Sequence, residues 1–298
     1  MFEPKFACEN FTMQKLDQWP LDDRRAITGV LTDIDDTLTT AGAITPDALT
    51  ALTNLKAAGL PVIAVTGRSV GWSKPFVLAW PLDAIVAENG AVALFCKTDR
   101  EKAGHENKNS LQPNEYIDEQ LTKKYQQDES VRRENFARMQ RVTAQVLREV
   151  AGAQLAQDSA GRETDIAIDH SEFTALAPER ITDVVRIMRS KGMNASVSSI
   201  HINGWFGSHN KLQGARWVVR DLLQRNLDVE MAQWVFIGDS TNDEMMFEAF
   251  PNSVGVANVR RFEAQLASLP RYVTRGERGA GFSEVAKPFW PLEQAKKL

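Results

Sequence analysis

Three aspartates stand together directly after an apolar run near the beginning of the chain. The segment VLTDIDDTLTT, residues 30–40, places Asp33, Asp35 and Asp36 within four positions. Carboxylates this close repel one another, and burying them at the end of a strand adds a desolvation cost. Such a cluster therefore predicts either a bound cation or a catalytic task.

Two further apolar runs are also followed by polar residues. These are Thr66, Gly67 and Arg68 after VIAV, and Asp239, Asn242 and Asp243 after WVFIG. In a parallel α/β sheet the carboxyl ends of the strands form one rim, where ligands bind. Carboxylates that converge there suit a hard divalent cation with oxygen ligands. We predict Mg²⁺ as the cofactor, in a metal site built from Asp33, Asp35, Asp239 and Asp243.

Phosphoryl transfer is a reaction that this set of side chains can perform. An aspartate can attack a phosphoryl group and form an aspartyl-phosphate, which splits one hard displacement into two easier ones. Asp35 lies two residues after Asp33 on the same side of an extended chain, where it could protonate the leaving oxygen and then activate water. A lysine and hydroxyl or backbone donors would neutralise the phosphoryl oxygens. The candidates for that role are Thr66, Gly67, Lys211 and Asn242.

The elements that must position these residues indicate an interrupted α/β fold. Continuous apolar strands alternate with helical segments near both ends of the chain, which is typical of a parallel sheet with helices on both faces. Between them, residues 98–128 are polar and loop-like, and residues 130–150 have helical periodicity. We predict a Rossmann-like parallel-sheet core, residues 1–90 and 200–298, interrupted by an inserted α+β cap domain, residues 91–199.

The overall composition favours a protein that acts on a small molecule. The net charge is −4 and Lys and Arg are spread along the chain, so neither a nucleic-acid surface nor a polybasic membrane anchor is indicated. No stretch has the unbroken apolar character of a signal peptide or a transmembrane helix, so we predict a cytoplasmic protein without membrane partners. Cys8 and Cys96 lack the spacing of a disulfide framework or a zinc site.

The segments DIDDTL, VTGR, NKLQG and GDSTND together resemble the four ordered motifs of the haloacid dehalogenase superfamily. The layout is similar to that of its Mg²⁺-dependent phosphatases. The AENGA segment and the insertion resemble the subgroup with a type-two α/β cap, which includes sucrose-phosphate phosphatase and mannosyl-phosphoglycerate phosphatase. The resemblance implies that Asp33 is the nucleophile and Asp35 the general acid/base. It also implies phosphate contacts from Thr66, Lys211 and Asn242, and metal ligation by Asp239, Asp243 and the backbone carbonyl of Asp35.

Substrate choice is expected to depend on the insertion. Arg162 is the first candidate, because a guanidinium can hold an anionic or polyhydroxyl group through paired hydrogen bonds. His201 and Asn203 share one face of a predicted strand that leads into Lys211, and Trp205 is a further candidate contact. The alternative for each polar residue is a solvent-exposed strand face.

Two interpretations are open for each of two motif residues, Asp36 and Arg68. Asp36 could take part in catalysis, or it could serve only the turn before Thr37. Arg68 could contact phosphate, or it could pack at the start of the helix that follows the second strand.

Hydrolysis of a phosphate ester is the predicted reaction. We expect a Mg²⁺-dependent phosphomonoesterase acting on a small phosphorylated metabolite, a sugar or sugar-acid phosphate, through an aspartyl-phosphate. Dehalogenase chemistry is disfavoured, because the chain retains the second aspartate and the metal-site acids. A phosphosugar mutase shares every core motif and remains an alternative, and a non-catalytic phosphometabolite-binding regulator is another, although neither Asp33 nor Asp35 is lost. A monomer or homodimer is expected.

Overall fold

The computed structural model describes residues 12–97 and 113–289. Within them the strands, in chain order, are β1 Gln14–Lys15, β2 Gly29–Thr32, β3 Thr39–Thr40, β4 Ala43–Ile44, β5 Val62–Val65, β6 Ala84–Ala87, β7 Val92–Cys96, β8 Leu121–Tyr125, β9 Gln154–Leu155, β10 Ile166–Asp169, β11 Asn194–Val197, β12 His201–Trp205, β13 Trp234–Gly238, β14 Asn252–Gly255 and β15 Tyr272–Val273. The α-helices are α1 Leu21–Arg25, α2 Pro46–Ala57, α3 Val70–Ala79, α4 Pro113–Gln120, α5 Glu129–Glu149, α6 Pro178–Ser190, α7 Lys211–Leu223, α8 Leu227–Glu230, α9 Glu244–Ala249 and α10 Arg278–Ala286.

Nine strands form one central sheet in the order β1-β15-β14-β13-β2-β5-β6-β7-β8. All neighbouring strands are parallel from β1 to β6, whereas β7 and β8 are added antiparallel. The strands β2 and β13, more than 200 positions apart in the chain, are direct neighbours, with Thr32 opposite Ile237. Their carboxyl ends therefore meet at one edge, as expected for residues that form a single site.

The central sheet is covered by apolar side chains on both faces. Alternate residues of the same strand face opposite sides, so Val30 and Val62 belong to the cluster packed under α2, α3 and α10, while Leu31 and Ile63 belong to the cluster packed under α7 and α9. This explains why the strands read as continuous apolar runs rather than as an alternating pattern.

A second sheet of four antiparallel strands lies in the inserted part of the chain. Its order is β11-β12-β10-β9, and α5 and α6 pack on it around a separate apolar cluster that includes Met139, Ile168 and Ile202. A short hairpin, β3–β4, follows the aspartate cluster. The predicted fold class, a largely parallel core sheet with an inserted cap sheet, is confirmed.

Two details of the sequence-based prediction differ from the structure. The stretch 98–128, predicted as a loop, contains α4 and β8; residues 98–112 lie outside the described part of the chain. Its lysines concealed the strand, because β8 is an edge strand that pairs on one side only and tolerates charged residues. The sheet pairing also departs from the predicted division at 91 and 199, since β7 and β8 belong to the central sheet and β12 to the cap sheet. The division itself stays a prediction.

Across 12–97 and 113–289, no helix combines the length and apolar character needed to cross a bilayer.

The approach of α7 to the turn after β6 depends on two glycines. A Cβ on Gly214 would lie 2.5 Å from the Cα of Gly90, a residue whose φ of +104° also favours glycine.

We expect Gly214→Ala to lower the free energy of unfolding by ~1–3 kcal/mol through overpacking, although alanine is the better helix former. Urea denaturation measures the free energy of unfolding of the variant and the wild type. The exposed neighbour on the same helix, Gln213→Ala, is the control; equal stability of both variants would contradict the close packing.

Candidate active site

The first carboxylate of the site is fixed by the pairing of β2 with β13. Asp33 directly follows β2, and its backbone N–H donates to the carbonyl of Ile237 at 2.8 Å. The residue is 4% exposed, and its carboxylate accepts a hydrogen bond from Nζ of Lys211 at 2.7 Å. The same Nζ donates to Oδ1 of Asp243 at 2.7 Å. One ammonium group therefore bridges residues from two neighbouring strand ends.

Lys211 reaches this position because α7 begins there. Asn210 caps the helix, and its side-chain oxygen accepts the N–H of Gln213 at 2.9 Å. The lysine is 3% exposed. Burial lowers the pKa of its ammonium, but Asp243 and Asp33 outweigh that effect and the pKa is raised. The side chain is therefore a fixed cation.

The turn after β13 supplies two further carboxylates. Oδ2 of Asp243 accepts the N–H groups of Asp239 and Ser240 at 2.9 and 3.3 Å, which orients the side chain toward Lys211. Asn258 donates from Nδ2 to Oδ2 of Asp239 at 3.0 Å. Both aspartates are 0% exposed.

Asp33, Asp239 and Asp243 form a group in which one carboxylate oxygen from each residue lies within 4.8 Å of the other two. Burial raises the pKa of Asp33 to about 7, with Asp243 and Asp35 adding to the rise and Lys211 opposing it. Burial, then Asp33 and Asp243, raises the pKa of Asp239 well above its ordinary value. When all three are ionised, these carboxylates carry more negative charge than one ammonium compensates. A divalent cation with a preference for oxygen ligands would neutralise that excess, so the donor set fits Mg²⁺.

Asp35 lies outside this group and has a different partner. The guanidinium of Arg68 donates to it from Nε at 2.9 and 3.0 Å and from Nη2 at 2.8 Å. Burial raises the pKa of Asp35, and Arg68 opposes the rise. The structure thus places Asp33 beside an ammonium and two acids, and Asp35 beside a guanidinium, so the two carboxylates have distinct environments.

The loop after β5 carries the predicted phosphate ligands Thr66 and Gly67. Oγ1 of Thr66 accepts the backbone N–H of Arg68 at 3.0 Å, and the residue is fully buried. The carbonyl of Gly67 accepts hydrogen bonds from Nη1 of Arg162 at 3.0 Å and Nδ2 of Asn203 at 3.2 Å. Two side chains of the insertion therefore hold the backbone of this loop.

The three predicted substrate residues, Arg162, His201 and Asn203, face protein groups rather than solvent. Besides Gly67, Arg162 donates to Asp158 and to Asp165, the latter at 2.7 Å, and its side chain is 1% exposed. Asn203 also donates to Asp165, and His201 pairs with Glu172 at 2.8 Å. The alternative of a solvent-exposed strand face is excluded for all three. The guanidinium of Arg162 is already occupied, so its substrate contact stays a prediction that this geometry does not favour.

Asn242 lies at the mouth of the site. Its Oδ1 accepts a hydrogen bond from Oγ of Ser240 at 3.0 Å. Together with Lys211 it borders a cleft of about 1020 Å³ between the insertion and the core. Trp205, predicted as a possible cap contact, lines the same cleft but is 6% exposed and packs in the apolar cluster of the insertion.

Several residues near the site were not predicted. Asn258 follows β14, so extending the strand-end rule by one strand would have found it. Glu172 has no such signal, because it pairs with Arg68 across more than 100 positions. Glu88 is 0% exposed and accepts the N–H groups of Val70, Glu163 and Thr164, which joins the core to the insertion.

Asp36 has the geometry of a turn residue. Its φ is +55°, a left-handed conformation that aspartate tolerates, and Oδ1 pairs with Nε of Arg278 at 2.8 Å. Its backbone carbonyl accepts from Asn258 at 3.0 Å. Asp36 is not part of the carboxylate group around Lys211.

Residues 30–269 match the family of haloacid dehalogenase-like hydrolases. The match covers more than half of the chain, and the protein belongs to this family. The predicted family and the predicted enzyme class, a hydrolase of the phosphatase type, are confirmed. A comparison with curated proteins finds no match.

Solved structures share the fold at low sequence identity. A Thermoplasma acidophilum protein aligns with a TM-score of 0.63 at 16% identity, covering 88% of this chain and 98% of that one. The sucrose-phosphatase of Synechocystis aligns with a TM-score of 0.57 at 16% identity, covering 88% and 97%. The C-terminal domain of trehalose-6-phosphate phosphatase from C. albicans aligns with a TM-score of 0.59 at 13% identity, covering 94% and 98%.

The raised pKa of Asp33 predicts a pH-dependent stability of the metal-free protein. The folded state keeps a proton up to about pH 7, whereas the ordinary pKa is 3.8, so between these values the folded state binds more protons than the unfolded state. Stability should therefore fall as pH rises through this window, with Asp33 contributing up to about 1.4 kcal/mol per pH unit.

Urea denaturation in a chelator between pH 4 and pH 7 measures this slope. We expect a shallower fall for Asp33→Asn than for the wild type. Glu179→Gln, an exposed acid on α6 outside the carboxylate group, is the control and should retain the wild-type slope. The same slope in Asp33→Asn and the wild type would contradict the assignment.

Proposed function

We propose that the protein is a Mg²⁺-dependent phosphomonoesterase that releases phosphate from a small phosphorylated metabolite, a sugar or sugar-acid phosphate. The single observation that carries the proposal is the contrast between its two motif carboxylates. Asp33 lies in the acidic group beside Lys211, whereas Asp35 is held apart by Arg68. Two carboxyl groups in different environments are suited to two different roles.

Asp33 is suited to attack the phosphorus atom. The Lys211 ammonium donates to Asp33 and Asp243, and one of its three N–H groups remains for a phosphoryl oxygen. As Asp33 bonds to phosphorus, the ester oxygen leaves and takes a proton from Asp35. The result is a free alcohol and an aspartyl-phosphate on Asp33.

Asp35 is suited to both proton transfers. Its raised pKa favours the protonated form needed in the first step. In the second step the resulting carboxylate removes a proton from water, which attacks the aspartyl-phosphate, releases inorganic phosphate and restores Asp33. Thr66, Gly67 and Asn242 are the further candidates to bind the phosphoryl oxygens.

Asp33, Asp239 and Asp243 are the side chains that would hold Mg²⁺, with the Asp35 carbonyl as the additional predicted ligand. The ion would neutralise charge on the phosphoryl oxygens during transfer. Asn258, which donates to Asp239, would orient that ligand.

Part of the cleft lining suits a hydroxyl-rich leaving group. Beside apolar and charged residues, the cleft is lined by amide and hydroxyl side chains. They include Asn89, Ser196, Ser208, Asn210, Thr241 and Asn242. Such groups form hydrogen bonds with sugar hydroxyls without requiring a second charge. The sucrose-phosphatase of Synechocystis, whose structure contains sucrose and phosphate, has the same fold and supports this substrate class.

A phosphate-release assay tests the reaction. We expect the wild type to hydrolyse a sugar phosphate and p-nitrophenyl phosphate in Mg²⁺, and Asp33→Asn to lose at least ~10³-fold in kcat, because the nucleophile is absent. A panel of sugar phosphates, sugar-acid phosphates and nucleotides identifies the preferred class. No turnover on any of them would refute the enzyme proposal, and transfer of phosphate to an acceptor sugar would favour a mutase.

Mg²⁺ binding can be measured without turnover. Mg²⁺ at 100 times its dissociation constant should stabilise the wild type by about 2.7 kcal/mol. Asp239→Asn should need at least ~10-fold more Mg²⁺ for the same effect, because one ligand has lost its charge. Thermal unfolding measures the stabilisation by Mg²⁺, and titration calorimetry measures the dissociation constant of Mg²⁺. Asp183→Asn, a partly exposed acid on α6, is the control. An unchanged Mg²⁺ requirement in Asp239→Asn would place the metal elsewhere.

A further inference from the structure

The guanidinium of Arg68 forms hydrogen bonds with both the core and the insertion. Nε and Nη2 bind Asp35, while Nη1 and Nη2 donate to the two carboxylate oxygens of Glu172 at 3.2 and 2.7 Å. The side chain is 4% exposed. One face of the guanidinium is covered by Trp72, whose ring centroid lies 4.8 Å from Cζ. Its orientation is therefore limited by Trp72 on one face and by Glu172 along the outer edge.

The orientation of Asp35 depends on this arginine. In residues 12–97 and 113–289, the hydrogen bonds to the Asp35 carboxylate all come from Arg68. A carboxylate with one planar partner takes its orientation from that partner. Anything that rotates the guanidinium will thus also move the acid/base group.

Glu172 is itself held firmly by the cap sheet. Asp169, the last residue of β10, accepts the backbone N–H groups of Ser171, Glu172 and Phe173 at 3.0, 2.9 and 2.9 Å. His201, opposite Asp169 in the β10–β12 pairing, contacts Oε2 of Glu172 at 2.8 Å. Burial raises the pKa of Glu172, but His201 and Arg68 outweigh this and hold it at about 2. The loop therefore presents a fixed anion to Arg68.

We propose that Glu172 is a positioning residue of the insertion, which orients the general acid/base Asp35 through Arg68. This inference rests on the proposed phosphatase function. Proton donation by Asp35 would then reach full efficiency only while the cap sheet contacts the core. His201, predicted as a substrate contact, acts here as a support for Glu172.

The leaving group provides a test that a purely structural role would not pass. An alkoxide needs a proton as it leaves, whereas p-nitrophenolate leaves without one, so misplacing Asp35 affects the first ester more. Because kcat/KM reports the first transfer step, Glu172→Gln should lower it by ~10–100-fold for an alkyl or sugar phosphate and by less than ~3-fold for p-nitrophenyl phosphate. Glutamine keeps the shape but replaces one acceptor oxygen with an NH₂ group.

A double-mutant cycle tests the route through Arg68. In an Arg68→Lys background, Glu172→Gln should add less than ~2-fold, because the pathway is already interrupted. Glu179→Gln, an exposed acid on α6, is the matched control and should leave both esters unaffected. Thermal unfolding identifies any variant that fails to fold; Glu172→Asp, too short to keep both contacts, then repeats the comparison.

The outcomes separate this inference from the proposed function. Equal losses on the two esters, or full additivity with Arg68→Lys, would overturn the role of Glu172 while leaving the phosphatase intact. Absence of turnover by the wild type on either ester would overturn the proposed function, and this inference with it.

Discussion

Two buried carboxylates, those of Asp33 and Asp243, share a single ammonium group, that of Lys211. Removing a partner from such a buried group costs about 3–5 kcal/mol, because charge remains in a medium that solvates it poorly. Several features of the fold keep the two carboxylates and the ammonium group together. Parallel pairing brings the two acidic turns to one sheet edge, and the contact of Gly214 with Gly90 lets α7 approach closely enough for the lysine to reach them. The position of the site thus follows from the packing of the core.

The core part of the site could be predicted because it depends on one simple rule. In parallel strands that are buried on both faces, the first polar residues after each apolar run lie at the same edge. Asp33, Thr66 and Asp239 obey this rule, although the chain positions are far apart. Lys211 followed from the segment NKLQG and its resemblance to a family motif. None of these assignments required knowledge of how the insertion folds over the core, which is why they could be made from local patterns.

The insertion was less predictable because its polar residues acquire their roles from partners distant in the chain. The sequence predicts that Arg162 and Asn203 are available to contact a substrate. In the structure both donate hydrogen bonds to the carbonyl of Gly67. Alternation along a strand shows which residues share a face, but it does not show what that face meets. Glu172 illustrates the same limit, because its importance depends on an arginine in another element. Strand β8 was missed for a related reason, since edge strands carry lysines that resemble a loop.

The buried carboxylate of Glu88 limits how far the core and the insertion could have evolved independently. It accepts one N–H group from the core, that of Val70, and further donors from Glu163 and Thr164 in the insertion. A different insertion that covered this acid without supplying equivalent donors would leave an unpaired buried charge, which is poorly tolerated. The two parts are therefore not exchangeable modules. Recombination that replaced one would have to replace the acid as well, so they are expected to change together.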